Sequence, residues 1–457
     1  MRRRLSYCFL VGFSLLAGCA NLAPDYLRPA LPVSATVDGR SASAQSTGKL
    51  DWQQLISDQR LRRTVELALA NNRDLRIAAL NIDKARAQYR IAEAPLYPSV
   101  DASAGGTSTR YDGELSRKYS VGLGVSAYEL DFFGRLTNLK DSALQNFLAT
   151  EAAQRSVRTS LIAEVANAWL TLAAYQDLEK LARDTFASRH KTYELTRQQQ
   201  ALGGTSRLTV AQAQATTESA RSEMARYLSL VAQQRSVLDL LAGTSVADEL
   251  LPAANSSIGN SAAVLIDVPE GMSSEVLLQR PDIVSAEHAL MASYADIGAA
   301  RAAFFPSITL TGSAGSASSD LSSLFASGTR AWSFVPMLTL PIFNGGSLRA
   351  SLSIAETTRD IQLATYEKAV QTAFQEVAEA LAVRRMLSER MAAQQAEVDA
   401  YATSLRLSME RYRSGADSYL TVLDSQRSLY ITQVSLIALQ LTEQSNRITL
   451  FKVLGGE

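Results

Sequence analysis

The sequence predicts an α+β membrane protein: long, coiled-coil-like helices forming a helical barrel, plus four strands per chain that contribute to a transmembrane β-barrel. Three observations carry that prediction. The two halves of the chain align to each other, each half holds a proline-free helical run far too long for a compact domain, and alternating segments precede each run.

Composition sets the frame. Of 457 residues, 47% are hydrophobic and 20% charged, with 45 basic against 45 acidic side chains. That is ample for a core and lacks the basic excess of a nucleic-acid binder.

The first element, residues 1–18, reads as a signal peptide: Arg2, Arg3 and Arg4 precede an apolar stretch over 5–17 that is too short to span a bilayer as a helix. It ends in Leu16-Ala17-Gly18-Cys19, which resembles the lipobox of bacterial lipoproteins, so lipidation is expected at Cys19. The alternative is an ordinary signal peptide followed by a chance cysteine. Cleavage there also removes Cys8, which leaves Cys19 without an internal disulfide partner. Ala20 stands where an aspartate would favour retention in the inner membrane. Residues 19–60 then read as a lipid-anchored extended arm, with Pro24, Pro29 and Pro32 and a Ser/Ala/Gly-rich stretch around 41–48.

Two repeats come next, 61–243 and 276–457, joined by a Ser, Asn, Pro and Gly-containing connector at 244–275. Residues 74–99 align with 282–307 at a constant shift, pairing Asp74 with Asp282 and Pro98 with Pro306. Further on a second constant shift, four residues larger, pairs Gly203 with Gly415, Leu208 with Leu420 and Gly243 with Gly455. Each repeat has one plan: helix, two strands, very long helix, tight turn, helix.

In the first repeat a helix is expected from near Leu61 to about Ala94, stopped by Pro95 and Pro98. A hairpin over about 98–133 succeeds it, with its turn near Tyr111-Asp112-Gly113. Its second strand alternates, with Tyr119, Val121, Leu123, Val125 and Ala127 on one face and Ser120, Gly122, Gly124 and Ser126 on the other. Apolar outside and small or polar inside suits a barrel wall, although soluble hairpins would show the same period. The counterpart hairpin covers about 306–343.

The long helices run from near Leu136 to Leu202 and from Leu348 to Ser414, roughly 95 Å each at 1.5 Å per residue. Apolar residues recur along them at helical spacing: Val157, Leu161, Val165, Trp169 and Leu172, then Val370, Phe374, Val377 and Leu381. Each rod reverses at a short turn, Gly203-Gly204-Thr205-Ser206 or Gly415-Ala416-Asp417-Ser418, where glycine caps one helix and Thr/Ser or Asp/Ser can cap the next.

Four strands cannot close a membrane barrel, whose usual minimum is eight, and open edges in lipid leave backbone groups without partners. Several chains must then share one barrel. Three would supply twelve strands, which leaves a water-filled lumen more readily than the eight from two.

With those elements laid out, the chain resembles the outer membrane factor family of TolC-like ducts, in particular the NodT/OprM-like lipoprotein branch of resistance-nodulation-division efflux systems. The resemblance rests on Cys19-Ala20-Asn21-Leu22-Ala23-Pro24-Asp25-Tyr26, Asn71-Asn72-Arg73-Asp74-Leu75 and Glu129-Leu130-Asp131-Phe132-Phe133-Gly134-Arg135. It rests also on Gln279-Arg280-Pro281-Asp282, on IGAARAAFFPS at 297–307, and on Tyr419-Leu420-Thr421-Val422-Leu423-Asp424.

The resemblance implies a homotrimer in the outer membrane, reaching into the periplasm, with the connector in an equatorial belt. It implies partners: a periplasmic adaptor protein, docking at the two turns, and an inner-membrane resistance-nodulation-division pump. It implies passive conduction of small molecules such as drugs, hence multidrug resistance, with metal-ion efflux and type I secretion as alternatives. It further implies a periplasmic gate at Tyr412, Leu420, Asp424 and Arg427. The residues themselves support part of this, because Leu420, Asp424 and Arg427 share one helical face. The first repeat has Gln200, Leu208, Gln212 and Ala215 there, so a charged constriction belongs to the second repeat alone.

Other classes find little footing. His190 and His288 lie far apart without cysteine partners or HExxH spacing, and no phosphate-binding loop with its lysine is present, so neither an enzyme, a metal centre nor a cofactor site is expected. A lipid-anchored scaffold or adhesin without a pore remains the structural alternative, but it would have no need of doubled, alternating hairpins.

Overall fold

The computed structural model describes residues 21–33, 51–253, 258 and 274–456. The signal peptide, Cys19, the Ser/Ala/Gly-rich part of the arm and most of the connector lie outside the described residues. The first half contains α1 (Trp52–Leu55), α2 (Gln59–Asn71), α3 (Arg73–Glu93), β1 (Asp101–Tyr111), β2 (Glu114–Leu130), α4 (Arg135–Ala201) and α5 (Arg207–Ala242). The second contains α6 (Pro281–Ala302), β3 (Ser307–Ser318), β4 (Arg330–Thr339), α7 (Ser347–Arg413) and α8 (Tyr419–Val453). Helices α4 and α7 have 67 residues each, about 100 Å if straight. Among the described residues no helix is long and apolar enough to cross a membrane.

The chain divides into two compact units. One takes in Leu80–Ala153, Asp282–Ala369 and the described residues up to Leu31. Its sheet is antiparallel in the order β1-β2-β3-β4, so the two repeats join at β2 and β3. The β1–β2 hairpin turns on Asp112 and Gly113, both with positive φ (47° and 86°), the backbone that matches the twist of the strands.

Cross-strand partners point to the same side of a sheet, so the register sorts its faces. Leu123 aligns with Ala314 and Trp332, Val125 with Gly312 and Phe334, and Leu130 with Ile308 and Leu338. The opposite face aligns Gly122 with Ser103, Gly315 and Ala331, and Gly124 with Ser313 and Ser333; Val335 and Met337 are its larger apolar members. Gly122 and Gly315 also let β2 and β3 approach: a Cβ on Gly122 would lie 2.7 Å from the Ala314 carbonyl oxygen, and one on Gly315 would collide with that of Val121.

The alternation expected through Ala127 stops at Val125. A bulge separates Val125 from Tyr128, with Ala127 at φ 51° and its amide donating to the Thr311 hydroxyl at 3.1 Å. One extra residue reverses the side-chain parity. Tyr128 and Leu130, which strict alternation assigns to the polar face, therefore join Leu123 and Val125. Strand β4 also ends at Thr339, before Pro341 and short of the expected 343.

The motif residues of this unit mainly secure element ends. The Asp131 carboxylate accepts the Leu136 and Thr137 amides (3.1 and 2.7 Å) and so caps α4, while Glu129 holds Arg135 through two bonds. Phe133 stacks on Phe305 at 4.7 Å. The arm is strapped along α6. Buried Glu287 accepts from Arg28 Nε (2.7 Å), Arg28 Nη2 (2.8 Å) and the Tyr26 hydroxyl (2.9 Å). A Cβ on Gly298 would lie 2.8 Å from the Cα of Ala23, so the arm needs glycine there.

The other unit takes in Pro32–Ala79, Gln154–Pro281 and Val370–Glu457. The apolar stripe of α4 is its core: Leu161, Val165, Trp169 and Leu172 are buried with Trp52, Leu61, Val65, Leu238 and Phe451. The Trp169 indole donates to the Leu250 carbonyl at 3.0 Å, which ties the start of the 244–275 stretch to α4. The extended arm expected to residue 60 gives way to helix at Trp52–Leu55 and again from Gln59, because the Asp51 and Asp58 side chains cap those helices. The single helix expected over Leu61 to Ala94 is split at Asn72. Its backbone is extended, its own amide closes α2 on Ala68 O at 2.8 Å, and its side chain accepts the Leu75 amide at 2.9 Å. An asparagine that can cap the next helix competes with helix continuation. Arg280 is buried and donates to the Val453 carbonyl (2.9 Å) and to Glu376 (2.7 Å), so its motif anchors the end of α8.

Candidate constriction and docking turns

Both reversing turns have the same backbone. Gly203 and Gly415 each have φ 76°, and in each turn the glycine amide bonds three residues back while the next amide bonds five residues back. This is the left-handed helix stop that glycine adopts without strain. The caps of the returning helices differ. The Ser206 hydroxyl accepts the Thr209 amide at 3.1 Å and caps α5. Ser418 makes no such bond, and the Asp417 carboxylate does not cap α8 either.

Asp417 accepts instead from Arg411 Nε (2.7 Å) and Nη2 (3.0 Å). A guanidinium fork is a stronger partner than a single backbone amide. That pairing holds the Asp417 carboxyl below its usual range. Gln199 and Thr205 occupy the equivalent places in the first repeat and cannot form it. The expected Asp/Ser cap is thus replaced by a side-chain clamp, a feature signalled only by an arginine six residues before an aspartate. Gly204, Ala416 and Ser418 are exposed, and Thr205 is partly buried.

Of the four residues expected at the constriction, the structure brings three together. Leu420, Asp424 and Arg427 lie on α8, exposed, and line one cavity of about 380 Å³ bounded by α4, α5 and α8. Arg427 donates to Asp424 at 2.8 Å, within one helix. Tyr412 stands apart. Its ring is 5.3 Å from that of Tyr419, in a cluster with Ala213, Val422 and Met409, where it packs the ends of the helices. In the first repeat Leu208 is exposed, and Ala215 lines the same cavity. The sequence reading missed Arg189 on that cavity's wall, because a lone arginine on a long helix looks like any solvated charge.

The histidines take ordinary roles: His190 stacks on Phe186 at 5.7 Å, and His288 Nδ1 shares a hydrogen bond with Gln145 at 2.7 Å. No group of three or more metal-ligating side chains occurs among the described residues.

Comparison with known proteins gives this architecture its family. The family described as Outer membrane efflux protein matches residues 64–244 and 272–456, one match for each repeat. The toluene efflux pump outer membrane protein TtgC of Pseudomonas putida is 43% identical over 456 residues, covering 97% of this chain and 93% of that protein. The cation efflux system protein CusC of Escherichia coli is 41% identical over 467 residues, covering 99% of both. A solved structure of CusC superposes with a TM-score of 0.88 at 40% identity, covering 96% of this chain and 100% of that one. The open state of the Neisseria gonorrhoeae MtrE outer membrane channel gives 0.87 at 37% identity, covering 96% and 98%. The chain therefore belongs to the outer membrane efflux protein family: it is a non-enzymatic efflux channel of the outer membrane and a component of an efflux system.

Proposed function

We propose that the chain works as a homotrimer whose twelve strands close one barrel, and that it passes small organic molecules such as drugs and solvents outward from an inner-membrane pump and its adaptor. The observation that carries this is the sheet. It has four strands of 10 to 17 residues, long enough to cross a bilayer, with an exposed apolar face and two edges without neighbours among the described residues. In lipid those edges need other copies. The toluene named for TtgC and the cation named for CusC indicate that relatives serve different cargoes. We therefore assign cargo choice to the pump, and a metal-ion system is the second reading.

In this proposal Cys19 carries the acyl anchor, the arm leads from it towards α1, and the 244–275 connector contributes to a belt. The turns Gly203–Ser206 and Gly415–Ser418 receive the adaptor. Leu420 and the Asp424–Arg427 pair narrow the lumen, and Tyr412 holds the helix ends that present them. The test is native mass spectrometry of the detergent-solubilised protein joined to planar-bilayer conductance. Three copies, each with diacylglyceryl or triacylated Cys19, and discrete conductance steps are expected. A stable monomer with full strand content, or no conductance, overturns the shared barrel.

A further inference from the structure

The cavity bounded by α4, α5 and α8 is lined by two residues, Arg189 and Tyr430, with hydrogen-bonding capacity to spare. Arg189 is partly buried, donates a single bond (Nη1 to the Thr216 carbonyl, 3.1 Å) and lies 5.9 Å over the Tyr430 ring. A guanidinium has five N–H donors and a unit charge, and among the described residues no carboxylate pairs with this one. Burial pulls its pKa down with no acid to offset the loss of solvent. The Tyr430 hydroxyl is buried and has no hydrogen-bond partner among the described residues. Its pKa is pushed up to about 12, chiefly by burial, so it remains a donor at neutral pH.

The two carboxylates on the cavity wall are already committed, Glu223 to Arg226 at 2.7 Å and Asp424 to Arg427 at 2.8 Å. What is left over is therefore cationic and donor-rich. Leu420 and Leu423 add apolar wall, and about 380 Å³ lies within the range of small-molecule sites.

We propose that this cavity binds a small organic acid: its carboxylate bridges the Arg189 guanidinium and the Tyr430 hydroxyl, and its apolar body lies against Leu420 and Leu423. A carboxylate suits both donors at once, because it accepts two parallel guanidinium bonds and has lone pairs to spare for a hydroxyl. An amine would bring a second cation beside an uncompensated one. The site goes beyond the duct reading, and its wall residues on α4, α5 and α8 all lie in one chain. Its occupant would share a cavity with Leu420, Asp424 and Arg427, so anionic solutes would bear on the constriction directly.

The experiment is ligand-observed 19F NMR on the purified full-length protein in detergent. The probes are 4-fluorobenzoate and its cationic counterpart 4-fluorobenzylamine. Benzoate should bind saturably and benzylamine should not. Arg189→Gln should weaken benzoate binding about tenfold or more, and Arg189→Lys, which keeps the charge and loses the fork, should fall between. Tyr430→Phe keeps the ring and the packing, and it should weaken binding about threefold to tenfold. It thus tests the site even if Arg189→Gln does not fold. Equal binding of the two probes, or benzoate affinity unchanged in both Arg189→Gln and Tyr430→Phe, overturns the proposal.

Discussion

Replacing Glu287 by alanine should free the N-terminal arm while leaving α6 intact. The carboxylate is 6% exposed and accepts three bonds, two from Arg28 and one from Tyr26. A hydrogen bond involving a charged group contributes about 1.5–3 kcal/mol. The Arg28 side chain is 52% exposed, so solvent screening brings its share to about 1 kcal/mol. Together with the Tyr26 bond the clamp amounts to about 2–4 kcal/mol of local stability. Its loss should raise the opening rate of residues 21–33 by roughly 30- to 1000-fold, at about 1.4 kcal/mol per factor of ten. Hydrogen exchange read by mass spectrometry measures this directly, with peptides from α6 as the internal control.

The clamp also has a pH signature. Burial and the bond to Glu287 raise the Tyr26 pKa well above the ordinary tyrosine value. A raised pKa gives stability that is complete below the unfolded value of about 10 and is lost as pH climbs through the folded one. The arm should therefore hold at neutral pH and loosen in strong alkali, and Tyr26→Phe should remove much of that alkaline loosening. Arm exchange unchanged in Glu287→Ala would refute the reasoning and place the arm's stability in its packing, Ala23 against Gly298 and the Tyr26 ring edge-on to Tyr294 at 5.5 Å.

Three further outcomes test the proposed duct. The pair Asp424→Ala with Arg427→Ala should raise single-channel conductance or antibiotic leakage with little effect on the melting temperature, since exposed pairs contribute about 0–1 kcal/mol; Gln212→Ala should do much less. Asp417 has a lowered pKa, so the second turn should keep its clamp above the ordinary carboxylate range and lose it as pH falls through the depressed value. Arg411→Ala should reproduce that acid loosening at neutral pH and lower adaptor binding in pull-down, whereas Gln199→Ala leaves binding unchanged. Leu123→Arg places a charge on the apolar face of β2 and should cut trimer yield in native mass spectrometry, at about 2–4 kcal/mol if it sits near the bilayer midplane.

Sequence alone determined the features that periodicity and locally acting chain chemistry dictate. Two aligned halves, two helices without proline, alternating apolar residues and glycine at each reversal all state their structure within a few turns of backbone. The stripe Leu161, Val165, Trp169 and Leu172 was legible as a buried seam because helical spacing puts one side of the rod toward its neighbours. Tertiary structure decided whatever depends on partners distant in the chain. The bulge at Ala127 exists because β2 must match β3, and that one extra residue puts Tyr128 and Leu130 on the apolar face. Asn72 interrupts a good helical pattern because its side chain caps α3 and its amide group reaches the Leu241 carbonyl at 2.9 Å. Around the candidate site, Leu420, Asp424 and Arg427 were legible as one helical face, whereas Arg189 entered only when folding brought α4 beside α8. Spacing along one helix is written in the chain, but which charge from another helix faces it is set by packing, and no local pattern records that.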